Sequence, residues 1–332
     1  MISGFLLSKP FVAALLDDRP FTRTGPYAQR RFFRLFPAYW AALVITATVL
    51  DQVHLESLTD WIVHLTLLQA YSEGQFVRQL GVAWSLSVEV AFYAFLPLYF
   101  IALRALGGRA APLRTMWLGN ATLLVGGSAF VLWTDSWLQL NVIAWLPFEM
   151  PVFAVGIALA ILHELRSRDR GPRRAIDVVA RIAGWWWILA AAVLALAAVL
   201  WGETVFFRVA HRTGTQVLYT LFGLCMALPV VFPAARRSRL ERVLNARVVA
   251  YVGLVSYGVY LWHLQLIDLI QGTWFPGGFV ATNAFALFVV TAAFAVGVAS
   301  VSWFVLERPA LAFARRGRNA GVDQAPGPGT SS

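Results

Sequence analysis

Long apolar runs separated by short arginine-rich segments dominate the chain. Several runs approach or exceed the roughly 20 residues that cross about 30 Å of hydrocarbon at 1.5 Å per residue. Spans are predicted near residues 37–53, 82–104, 115–133, 142–163, 184–201, 215–233, 249–271 and 282–306. Backbone left without partners is not tolerated in lipid, so the spans are helices. The fold class that follows is all-α: a polytopic helical membrane bundle with eight full spans. A partial span, Met1–Ser8, precedes them and is closed by Lys9-Pro10. At helical rise it covers only about 12 Å, so the chain is expected to begin inside a longer one. Tryptophans such as Trp40, Trp84, Trp117, Trp145, Trp201 and Trp303 lie near the proposed ends, where interfacial anchors belong.

Composition supports this pattern. Of the 332 residues, 59% are hydrophobic and 13% charged, against about half and a quarter in a soluble domain. So little charge does not cover a large soluble core. Cys225 is the only cysteine, which excludes a disulfide scaffold. The net charge of +10 sits in clusters between spans, a distribution that argues for the bilayer and against nucleic acid as partner. Basic residues fill the segments 9–34, 104–114, 166–181, 236–247 and 308–318, leaving only Arg78, Arg208 and Arg212 on the opposite side. The positive-inside rule then places the C-terminus in the cytoplasm and the protein in the cytoplasmic membrane. Residues 1–314 read as one membrane domain and 315–332, rich in Arg, Gly, Pro and Ser, as a disordered cytoplasmic tail. The outer segment 54–81 is expected to hold a short amphipathic helix around Trp61–Gln69. Arginine-heavy, lysine-poor, alanine-rich usage points to a GC-rich bacterial genome.

Three constellations carry candidate chemistry. Arg31 and Arg34, in Arg30-Arg31-Phe32-Phe33-Arg34, share a face if the helix of Pro37 extends back to them; Pro37 suits that helix's first turn. Paired guanidiniums clamp phosphates, although spacing alone favours membrane anchoring. Ser85, Glu89 and Tyr93 follow i, i+4, i+8 inside a span and form one polar stripe facing the bundle interior. An intramembrane carboxylate is a functional candidate, with an interhelical clamp as the structural alternative. Ser256, Tyr260 and His263, at i, i+4, i+7, mark a third face, and His263 reads as base, ligand or core histidine. His54, His64, His163 and His211 read as solvated or interfacial. No metal is expected, because no HxxxH, HxxE or CxxC spacing occurs. A Walker loop, a dinucleotide fingerprint and a nucleophile elbow are absent too.

Together these motifs resemble the membrane-bound acyltransferase 3 family. Ser3-Gly4-Phe5-Leu6 is similar to its second-helix signature, and Arg31-Phe32-Phe33-Arg34 with Pro37-Ala38-Tyr39-Trp40 to its RxxR segment. Trp84-Ser85-Leu86-Ser87-Val88-Glu89 through Phe92-Tyr93 and Pro97, Ser256-Tyr257 through His263, and Glu307-Arg308-Pro309 complete the match in order. The resemblance implies transfer of an acyl group, acetyl above all, from cytoplasmic acyl-CoA to a hydroxyl of a carbohydrate, glycolipid or secondary-metabolite acceptor. It implies that Arg31 and Arg34 hold the CoA phosphates. Glu89 then stands as the tentative catalytic carboxylate, and Ser85, Tyr93, Tyr260 and His263 line the substrate path. The family's first helix, with its arginine and general-base histidine, has no counterpart here, so the chain as written is expected to bind acyl-CoA yet turn over poorly. A transporter or flippase, or a catalytically inactive relative, is the alternative.

Overall fold

The computed structural model describes residues 1–21, 24–77, 80–108, 110–135, 137, 139–168, 173–201, 212–232, 239–274 and 280–314. The expected tail, 315–332, lies outside the described residues, as do Arg208 and His211. Every regular element among the described residues is helical: α1 (Ile2–Leu16), α2 (Thr24–Thr48), α3 (Leu58–Leu65), α4 (Glu73–Val77), α5 (Ala83–Leu103), α6 (Pro112–Thr134) and α7 (Leu146–Ser167). These are followed by α8 (Arg173–Arg181), α9 (Ala183–Trp201), α10 (Arg212–Val231), α11 (Arg239–Leu244), α12 (Arg247–Trp274) and α13 (Val280–Ser302).

Five helical segments among the described residues are long and apolar enough to cross a membrane: Ala83–Gly107, Pro112–Thr134, Leu140–Ser167, Arg212–Val231 and Phe285–Ala314. Each falls on a predicted span. Helices also form over the other three predicted spans, as α2, α9 and α12, which are not among the five. The described residues are thus those of a helical, multi-pass membrane protein.

Two compact units make up the chain: one comprises Met1–Thr22, Leu68–Val77 and Trp84–Leu244, the other Arg23–Leu67, Arg78–Ala83 and Asn245–Ser332. In the first unit α1 lies against α7 with glycines at the contact. A methyl group added at Gly4 would sit 2.7 Å from the Phe153 carbonyl oxygen, and one at Gly156 would collide with the carbonyl of Met1. Small residues of this kind let helix backbones meet where lipid offers no hydrophobic drive. Aromatic stacks fill the neighbouring layers, Phe92 on Phe153 with ring centroids 3.9 Å apart and Phe11 on Phe100 at 5.1 Å. At one end Asp17, just past α1, receives Arg168 Nε at 2.9 Å and Nη2 at 2.8 Å, while Arg168 also donates to Glu164 at 2.6 Å. Those hydrogen bonds from Arg168, then that from Arg19, hold the Asp17 carboxyl well below the usual carboxylate range.

The opening helix corrects the sequence reading, which closed it at Lys9-Pro10. It runs on to Leu16. The Pro10 ring is exposed, so the helix absorbs one lost N–H bond, while Phe11, Val12 and Leu15 are buried and pin the following turns.

In the second unit α2, α3, α12 and α13 assemble. Here too proline was misread: α2 begins at Thr24, so Pro37 stands deep inside it and not in its first turn. The Tyr257 hydroxyl donates to the Leu35 carbonyl at 2.8 Å, one of the neighbouring contacts that hold the helix around that proline. The short helix α3 starts earlier than expected, at a capping box in which Ser57 Oγ accepts from the Asp60 amide and Asp60 accepts from the Ser57 amide. Leu67, at φ 61°, then ends it in the left-handed conformation. His64 is fully buried, not interfacial: Nδ1 lies 2.8 Å from the Asp60 carbonyl oxygen, and the His64 carbonyl accepts from Tyr39 at 2.7 Å.

Candidate functional site

The stripe on α5 is built by spacing alone, since residues four apart stack on one face. Glu89 is half-buried, and its Oε1 accepts from the Tyr93 hydroxyl at 2.7 Å and from Ser3 Oγ of α1 at 3.0 Å. Ser85, half-buried, lies one turn before Glu89 on the same face. Both donors act on Oε1, leaving Oε2 without a donor among the described residues. A carboxylate so held keeps a fixed orientation and one oxygen available to a hydroxyl or a proton. Ser3 is the member that sequence reasoning missed as a site residue. Its signal was its place in the Ser3-Gly4-Phe5-Leu6 motif, whose Gly4 lets α1 pack closely on α7.

The other candidate residues belong to the second unit. Because α2 extends to Thr24, Arg31 and Arg34 do lie on one helix face. The Arg31 guanidinium stands over the ring of Tyr27, 5.6 Å from its centroid, and Arg34 is exposed. Glu307 is buried and accepts from Ser302 Oγ at 3.3 Å, and the turn that bears it packs against α2. This arrangement links the RxxR segment to the Glu307-Arg308-Pro309 segment, two motifs 273 positions apart at Arg34 and Glu307. The turn bearing Glu307, Trp303–Glu307, is π-helical, a distortion frequent at functional sites.

Tyr260 and His263 come together on α12, their rings 5.7 Å apart. His263 Nδ1 lies 2.7 Å from the Tyr260 carbonyl oxygen, and the Tyr260 hydroxyl donates to the Val82 carbonyl at 3.4 Å. Ser256 is exposed and donates to the Gly253 carbonyl of its own helix. No group of three or more His, Cys, Asp or Glu side chains among the described residues is placed to hold a metal ion.

An acyltransferase-domain family model matches residues 1–304. The chain belongs to this family, the membrane-bound acyltransferase 3 family, as its motifs implied. Among curated proteins it is similar to three from Staphylococcus aureus, strains COL, MSSA476 and MRSA252, provisionally named O-acetyltransferases. Each is 22% identical over 296 residues, which cover 83% of this chain and 46% of the relative. The chain thus spans about half the length of these relatives. No solved structure gives a significant match.

Proposed function

We propose that the protein is an integral membrane O-acyltransferase that takes an acyl group, acetyl in the simplest case, from cytoplasmic acyl-CoA. The acceptor is a hydroxyl of a carbohydrate, glycolipid or similar molecule. In the reaction the hydroxyl oxygen bonds to the thioester carbonyl carbon, the C–S bond breaks, and the hydroxyl proton leaves with the CoA thiol. Family membership supports the reaction class. The observation that carries the site is the clamped carboxylate of Glu89, with one oxygen held by Ser3 and Tyr93 and the other left for the acceptor path.

Arg31 and Arg34 bind the CoA phosphates in this reading. Two guanidiniums on one face of α2, on the arginine-rich side of the membrane, suit an anionic cytosolic donor. Tyr260 and His263 line the route of the acceptor. The test is binding of acetyl-CoA by Arg31→Ala/Arg34→Ala in detergent-purified protein. Loss of binding is the expected result, and undiminished binding would remove these arginines from the donor site. Wild-type protein that binds acetyl-CoA but releases no CoA with any hydroxyl acceptor would make this a non-catalytic member of the family.

A further inference from the structure

In the second unit, α12 and α13 touch at Gly258, where an added methyl group would lie 2.9 Å from Ala299 Cα. Beyond that point they part. Tyr251 and Leu254 on one side and Trp303, Phe304, Arg308 and Leu311 on the other enclose a groove of about 580 Å³. The phenol of Tyr251 is bonded to Ser300 Oγ at 2.7 Å, so its ring forms a fixed wall. The π-helical turn at Trp303–Glu307 adds girth to the opposite wall just where the bulky side chains begin.

One end of this apolar groove is cationic. Arg308 is exposed and stands 6.0 Å from the Phe304 ring centroid. Arg247, the first residue of α12, lies at i−4 from Tyr251 and i−7 from Leu254, on the same helical face. Among the described residues neither guanidinium donates a hydrogen bond or joins an ion pair.

Depth in the membrane suits this arrangement. The apolar segment Phe285–Ala314 has 30 residues, about 45 Å at helical rise, against roughly 30 Å of hydrocarbon. That excess length, with Arg308 near the end of the segment and Trp303 just before it, suits an arginine at headgroup level above an apolar lining.

The geometry points to a binding site for one anionic phospholipid of the arginine-bearing leaflet, with an acyl chain in the groove and the phosphate on Arg308 and Arg247. A chain alone would need no cation, and a phosphate alone would need no apolar groove. The paired features match an amphiphile with a negative head. This site is separate from the Glu89 stripe and does not depend on the acyl-transfer reading.

The full chain is reconstituted in nanodiscs of palmitoyl-oleoyl phosphatidylglycerol and phosphatidylcholine in equal parts, and co-released lipid is weighed by native mass spectrometry. Wild type is expected to keep phosphatidylglycerol in preference to phosphatidylcholine. Arg308→Gln is expected to cut that preference about fivefold, the effect of one basic residue at an anionic surface, and Arg247→Gln to reduce it further. Leu254→Trp, at a position 47% exposed, fills the groove without disturbing the core and is expected to lower retention of both lipids. Equal retention of the two lipids by wild type overturns the proposal, as does a preference that survives loss of both arginines. Retention unchanged in Leu254→Trp, or displacement of phosphatidylglycerol by inorganic phosphate, overturns the seating of the chain in the groove.

Discussion

The stripe of Ser85, Glu89 and Tyr93 on α5 and that of Ser256, Tyr260 and His263 on α12 repeat at nearly the same interval, but they hold different things. On α5 a carboxylate is the meeting point of hydroxyls from two helices. On α12 Ser256 and His263 turn to carbonyls of their own helix. The cause is donor and acceptor chemistry. Hydroxyls and imidazoles can donate to the carbonyl three or four residues back. An ionised carboxylate only accepts, and the helix interior has no free N–H to offer it, so it must recruit donors from elsewhere. Acceptor-only residues inside a span are therefore the better markers of a convergent site.

The largest effect that separates the stripes should come from Glu89→Gln. It is expected to lower CoA release from acetyl-CoA with acceptor by about 10²-fold or more, the range of a lost acid–base group. Ser256→Ala is expected to change it less than about twofold, because the lost bond is internal to α12. An equal fall in both would erase the distinction. Next comes the helix that delivers Ser3. Gly156→Leu overpacks α1 against α7 and should cost about 1–3 kcal/mol, lowering the unfolding midpoint in detergent and activity with it. Gly253→Ala, with nothing within 4 Å of the added methyl, is the matched control and should stay within about 0.5 kcal/mol.

Tyr93→Phe removes a donor 2.7 Å from the half-buried Glu89 carboxyl and should destabilise by about 1–3 kcal/mol; Tyr260→Phe breaks a 3.4 Å bond to a backbone carbonyl and should cost about 1 kcal/mol or less. Equal losses in chemical denaturation would argue that Glu89 is held no more firmly than the α12 stripe. The smallest effect is that of acid. Asp17, at the far end of α1, has its pKa depressed by Arg168 and Arg19. Its contribution is complete above the unfolded value of about 3.9 and is lost as pH falls through the folded one. Moving from pH 7 to pH 3 should thus loosen wild type more than Asp17→Asn, and a parallel decline of the two would remove Asp17 from the pairing of α1 with α7.

Run length and helical period are local properties, so the five long apolar helices and the spacing of the Glu89 stripe were legible before any coordinates. What was not legible depends on neighbours distant in sequence. Ser3 and Glu89 are 86 residues apart, and nothing in either segment announces the other. The prolines failed for the same reason: the lost N–H of Pro10 or Pro37 can be read from sequence, but not the packing that tolerates it. His64 looked interfacial because it lies in a segment between spans, yet an αL turn at Leu67, a capping box and Tyr39 enclose it. Ser57 and Asp60, three residues apart, were the readable part of that enclosure.

The contact of α1 with α7 at Gly4 and Gly156 also has a consequence in time. About 130 residues separate the end of α1 from the start of α7, and at 5–20 residues per second their synthesis takes roughly 7–26 s. For that interval α1 exists with its glycine seam uncovered. α1 is thus made well before the helix that covers its seam. Whatever holds nascent helices at the membrane must keep it there until α7 arrives.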